Sequence, residues 1–140
     1  MLSLTIHNLG DVTVFRCAGR ITADDGNVLR NAVLAQPHIR IAVLDLAEIS
    51  AVDAAGLGTL VYLQKWAKTS GTKLKLMNLM PSVEEVLDLT KLRSAFELCS
   101  VQDMLDLLCR ATRRVMNRSL SQHARRSPPK PFIKLPSAAA

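Results

Sequence analysis

The chain has 140 residues, 49% of them apolar and only 4% aromatic, which suits one domain with an aliphatic core. Its net charge of +6 is uneven: residues 1–109 carry 10 Lys+Arg and 12 Asp+Glu, whereas residues 110–140 carry 8 Lys+Arg and no acid. No apolar run reaches the ~18 residues of a membrane helix, the start lacks a secretory pattern, and Cys17, Cys99 and Cys109 lack metal-ligand spacing, so a cytoplasmic chain with reduced thiols and no transmembrane segment is expected.

Leu2 to Ile6 alternates apolar and polar residues as a half-buried strand does. Asn8-Leu9-Gly10-Asp11 carries turn chemistry, and Val12 to Ala18 is β-branched and aromatic. So short a connection permits only an antiparallel hairpin. Thr22 is expected to cap a helix bearing Val28, Leu29, Ala32 and Val33, ended by Pro37. Ile39 to Leu46 is the most apolar strand and belongs at the centre of the sheet. A loop, Ala47 to Val52, leads to a helix over 54–70, with Gly71 at its C-terminal stop. Leu74 to Met77 is the next strand. Ser82 and Glu85 read as a capping box ahead of Val83, Val86 and Leu87. After a short strand at Phe96-Glu97-Leu98, a last helix is expected from Ser100 to Met116, burying Val101, Met104, Leu105, Leu108, Ala111 and Val115.

The order ββαβαβαβα implies an α/β fold: a mixed, mostly parallel sheet opened by an antiparallel hairpin, with helices packed on it. The expected domain is residues 1–116. Residues 117–140, rich in Ser, Arg, Pro and Ala, read as a basic disordered tail.

The segment Asp53-Ala54-Ala55-Gly56-Leu57-Gly58 follows the central strand and opens a helix, where unpaired N–H groups and strand ends gather ligands and partners. Asp53 is placed as N-cap, and Gly56 and Gly58 remove bulk where another backbone can approach. Farther along, Gly58, Tyr62, Lys65 and Thr69 form an outer stripe. Tyr62 and Trp66 either make contacts with a partner or cover the helix against its neighbour.

Residues Ile49 to Leu60 resemble the signature of STAS domains, the fold of bacterial anti-sigma factor antagonists. The family pattern is an apolar strand, a short loop, then Asp-Ser-Ser-Gly-Leu opening a helix. Val12 to Arg20 with Gly19-Arg20-Ile21, and Leu74-Lys75-Leu76 followed by a Pro and a helix with Val86 and Leu87, occur in family order as well. The resemblance runs from residue 1 to about 112. It implies a protein that regulates transcription by docking on an anti-sigma factor of the serine-kinase, ATPase-fold type. The contact residues then expected are Asp24 and Asp25, where the family often places acids, Asp53, Ala54, Ala55, Gly56, Leu57 and Gly58 of the signature loop, and Tyr62 of the outer stripe, with no catalytic residue, cofactor or metal. It also implies a switch: in regulated members the Ser before the Gly is phosphorylated by the partner. Here that position is Ala55, preceded by Ala54, so no hydroxyl can take the charge. Ser50 and Thr59 are the nearby hydroxyls.

Other readings compete. The same fold serves signalling scaffolds and transporter-associated modules, and other STAS proteins are candidate partners. The basic tail suits a nucleic acid or an anionic lipid surface, although no aromatics interleave its charges. A receiver-like Mg²⁺ site would use Asp24, Asp25 and Asp45 or Asp53, but the Lys it needs after the last strand is absent: that stretch is Glu97-Leu98-Cys99-Ser100. His7, His38 and His123 are scattered, and there is no phosphate-binding Gly-Lys-Ser/Thr loop.

Overall fold

The computed structural model describes residues 1–36 and 39–125. Strands β1 (Ser3–Leu9) and β2 (Val12–Ile21) pair antiparallel, with Leu9 opposite Val12. The two-residue turn between them places Gly10 at φ 68°, the sign a type II′ hairpin needs at its first turn residue. Strands β3 (Ile41–Val52), β4 (Lys73–Met77) and β5 (Glu97–Cys99) add in parallel, giving the order β1-β2-β3-β4-β5. The connecting helices are α1 (Gly26–Leu34), α2 (Ala54–Ser70) and α3 (Pro81–Leu89), with a short 3-10 turn at Arg93–Ala95 before β5 and α4 (Val101–Arg125) after it.

The pleat sends alternate side chains to two cores. Phe15, Cys17, Ala42, Leu44, Leu46, Leu74 and Leu76 pack with Leu29, Val33, Leu57, Leu60, Leu63, Val83 and Leu87, so α1, α2 and α3 share one face. Val12, Val14, Val43 and Met77 pack with Met104, Leu107 and Leu108 on the other, beneath α4. Burial on both faces explains why Ile41 to Leu44 reads as a continuous apolar run.

The clearest departure from the sequence reading is at residues 47–52, which are strand and not loop. Arg16 pairs with Asp45 but Ala18 with Glu48, and Gly19 pairs with Ile49 but Arg20 with Ala51. Each shift leaves an extra residue on β3, as a β-bulge does. Inward positions then fall at Leu46, Ile49 and Val52, every third residue, and the two-residue period vanishes from the sequence although the pairing continues. Ser50 sits between two paired residues and donates its hydroxyl to the Gly19 carbonyl oxygen at 3.2 Å. The strand thereby runs up to Asp53 and aims it.

Two helix starts, the buried face of α4 and its end also differ. Thr22 does not cap α1. Its carbonyl accepts from the N–H groups of Asp25 and Gly26, a turn that delays the helix to Gly26 and leaves Val28 exposed. The capping box at Ser82 does not form: Pro81 opens α3 with its preset φ, and the Ser82 hydroxyl donates across to the Ser50 carbonyl. In α4, Met104 and Leu108 make the expected contact, joined by Leu107, whereas Val101 and Leu105 are exposed. The backbone of α4 continues nine residues past Met116 to Arg125, so residues 117–125 are helical. No Pro or Gly interrupts the chain between Met116 and Pro128, and Arg, Leu, Gln and Ala all favour helix. Pro37, His38, the side chains of Ala111, Val115 and His123, and the segment 126–140 lie outside the described residues.

Candidate protein-docking site

The Asp53 carboxylate organises this end of the molecule. Oδ1 accepts from the Gly56 N–H at 2.7 Å, capping α2, and Oδ2 accepts from the Ala23 N–H at 3.3 Å. The second bond reaches a residue thirty positions away and was not legible from spacing. The Asp53 N–H in turn donates to the Ile21 carbonyl at 3.2 Å. One side chain and one amide therefore hold the 22–25 turn against the first turn of α2. Asp24 and Asp25 come to the same rim as Asp53. Asp24 is exposed. Asp25 accepts from the Thr22 hydroxyl at 3.3 Å and lies 3.8 Å from the Met1 amino group.

The expected contact set divides by burial. Ala54, Ala55 and Gly58 are exposed, whereas Gly56 and Leu57 are buried and belong to the scaffold. A Cβ on Gly56 would stand 2.0 Å from the Ile21 carbonyl oxygen, so glycine here lets α2 lie against the end of β2. A Cβ on Gly58 would meet nothing within 4 Å, so that glycine answers no packing demand. Gly26 is a second close approach, with Thr59 Oγ1 2.5 Å from the Cβ it lacks, and it seats α1 on α2.

Tyr62 is 44% exposed on the outer stripe of α2, and the Arg30 guanidinium of α1 lies 4.8 Å from its ring centroid. It therefore both touches the neighbouring helix and presents an edge outward. Trp66 is partly buried against the core. The neighbouring hydroxyls are already engaged: Ser50 on Gly19, and Thr59, 6% exposed, on the Ala55 carbonyl at 3.2 Å. The surface is thus a patch of small exposed residues with an acidic rim, and the hydroxyls beside it are engaged in hydrogen bonds.

The receiver-like arrangement does not assemble. Asp45 lies on the α4 side of the sheet, 3.9 Å from Arg16 and accepting from Asn78 Nδ2 at 3.2 Å. Among the described residues no group of three or more His, Cys, Asp or Glu could hold a metal ion. No helix among them is long and apolar enough to cross a membrane. His7 is exposed on β1 and apart from this rim.

A family model for the STAS domain matches residues 3–104. The chain belongs to the STAS domain family. Solved STAS-type structures superpose on it: a putative anti-sigma factor antagonist from Thermotoga maritima at 19% identity, covering 75% of this chain and 93% of that one, with a TM-score of 0.66; the Bacillus cell fate determinant SpoIIAA in its phosphorylated form at 14% identity, covering 76% and 99%, TM-score 0.59; and a sulfate transporter family protein from Wolinella succinogenes at 15% identity, covering 74% and 88%, TM-score 0.63. At these identities the likeness is one of fold. The five-stranded mixed sheet with its antiparallel opening is that shared STAS fold.

Proposed function

We propose that this STAS domain acts without catalysis, as an antagonist that docks on an anti-sigma factor of the serine-kinase, ATPase-fold type in the cytoplasm and so regulates transcription. The docking surface comprises Asp24 and Asp25 of the turn, Asp53, the exposed residues Ala54, Ala55 and Gly58, and the edge of Tyr62. Gly56 and Leu57 support it from within. The observation that carries this reading is the Asp53 bridge, which rigidly joins two chain-distant segments into one exposed rim made of side chains too small to obstruct a partner. A preorganised surface spends less ordering entropy on binding.

Release would differ from that of relatives that use a serine. A phosphate at position 55 would add ~1.5–2 negative charges beside Asp53, enough to repel a docked partner. Ala55 cannot accept one, so the surface stays permanently open to its partner. The test is a transfer assay with radiolabelled ATP and the partner kinase. The wild-type chain stays unlabelled while binding; Ala55→Ser takes label at that residue and loses the partner. Label on residues 50–59 of the wild-type chain contradicts the proposal.

A further inference from the structure

The opposite end of the sheet carries a second feature, about 35 Å of β3 away from Asp53. There a hollow of about 250 Å³ opens between α4 and the starts of β2, β3 and β4. Arg40, Lys73, Lys75, Arg110 and Arg114 line it, with Asp11 as its carboxylate and Val12, Ile41 and Leu107 as its apolar floor. We propose that this hollow is an anion site for a small phosphate-bearing group of two or more negative charges, of diphosphate size.

The backbone holds the cations together. The Ile41 N–H donates to the Asp11 carbonyl at 3.1 Å, and the Lys73 N–H donates to the Arg40 carbonyl at 2.9 Å. Lys73 and Lys75 stand two apart on β4 and share the face that α4 covers, opposite Ile41 and Val43 of β3. At those positions a sheet normally offers a covering helix apolar residues, as β2 does here with Val12 and Val14. From above, α4 brings Arg110 and Arg114, one turn apart.

Two of the five cations are matched. Lys75 pairs with Glu97 at 2.7 Å, and Arg114 with Asp11 at 2.5 Å. Arg40, Lys73 and Arg110 have no carboxylate within 4.0 Å among the described residues. Asp103 and Asp106 line a separate neighbouring hollow with Lys75 and Arg110. Crowding three unmatched cations raises the energy of the empty site, and a multivalent anion relieves it. Two arginines provide planar forks that fit phosphate oxygens two at a time. The volume lies below the ~300–1,000 Å³ of pockets that enclose drug-sized ligands, so the phosphate group is recognised and any attached body stays outside.

The experiment is titration calorimetry on the full chain with inorganic pyrophosphate, in parallel with sulfate and with ADP as a diphosphate carrying a body. The expected result is saturable one-to-one binding of pyrophosphate, with sulfate at least about tenfold weaker. ADP matching pyrophosphate assigns the affinity to the diphosphate itself. In the folded double variant Arg40→Glu, Lys73→Glu, pyrophosphate affinity falls at least about tenfold, because each lost charge-assisted contact counts. A variant with Arg126, Lys130 and Lys134 all changed to Ala keeps wild-type affinity. The proposal is overturned if pyrophosphate shows no saturation, if the double variant binds like wild type, or if the tail substitutions abolish binding. None of these outcomes bears on the docking surface at Asp53.

Discussion

Replacing each glycine of the Gly56-Leu57-Gly58 triplet by alanine separates scaffold from surface. Both lie in α2, where alanine is the better helix former by ~1 kcal/mol. At Gly58 nothing opposes that gain, since the new Cβ meets nothing within 4 Å. Gly58→Ala should therefore stabilise the fold by ~0.5–1 kcal/mol. At Gly56 the new Cβ would stand 2.0 Å from the Ile21 carbonyl oxygen, 2.9 Å from its carbon and 3.0 Å from Val52 Cγ1. Two of these atoms are backbone and cannot rotate away. The end of β2 or the start of α2 must move by more than an ångström, which costs ~1–3 kcal/mol as overpacking. The shift also strains the 2.7 Å bond from Gly56 N–H to Asp53, worth ~1 kcal/mol net. Set against the propensity gain, the balance is a loss of ~1–3 kcal/mol. Urea unfolding followed by circular dichroism reads both effects as opposite shifts of the midpoint at unchanged slope. A Gly56→Ala chain as stable as wild type, or two variants shifting together, would refute the packing argument.

The thiols and the β5 ion pair give further outcomes. Burial, reinforced by Asp45, pushes the Cys17 thiol up to about 12, and burial also raises Cys99, whereas Cys109 is exposed. A maleimide at neutral pH should label Cys109 rapidly in the native chain and leave Cys17 untouched until unfolding, as peptide mapping would show. On β5, the hydrogen bond from Lys75 holds the Glu97 carboxyl below its ordinary 4.5. Because the folded value is the lower one, the contribution is complete above the ordinary value and is lost as pH falls through the depressed one. Unfolding free energies of wild type and Glu97→Gln should differ at pH 6 and converge in strong acid; a gap unchanged by acid would remove the pair as its source.

Much of the fold was legible because its signals are local. The hairpin reads from Gly10 and a connection too short for a parallel return, and α2 reads from Asp53 at one end and Gly71, at φ 72°, at the other. The second half of β3 was not legible, since two bulges replace the strand period with a spacing of three at Leu46, Ile49 and Val52. The end of α4 was missed because a helix can continue without apolar periodicity when no residue breaks it. At the proposed docking surface the motif singles out Asp53 and its neighbours, but not which of them face water. Leu57 and Gly56 turn inward because the first turn of α2 must bury one side against β2, and the Asp53 to Ala23 bond depends on a contact between segments thirty residues apart. The basic hollow was hidden for the same reason: Asp11, Arg40, Lys73 and Arg110 are far apart in sequence and meet only through sheet register and the crossing of α4.

The most direct measurement is the affinity of the proposed partner, an anti-sigma factor, for Gly58→Arg. The position is exposed and has open space above it, so the variant folds as wild type does and places a bulky cation at the middle of the patch. The account predicts a fall of at least about tenfold, from the obstructed approach at the centre of an interface. Wild-type affinity in a chain with a native circular dichroism spectrum would contradict it and move the contact to another face.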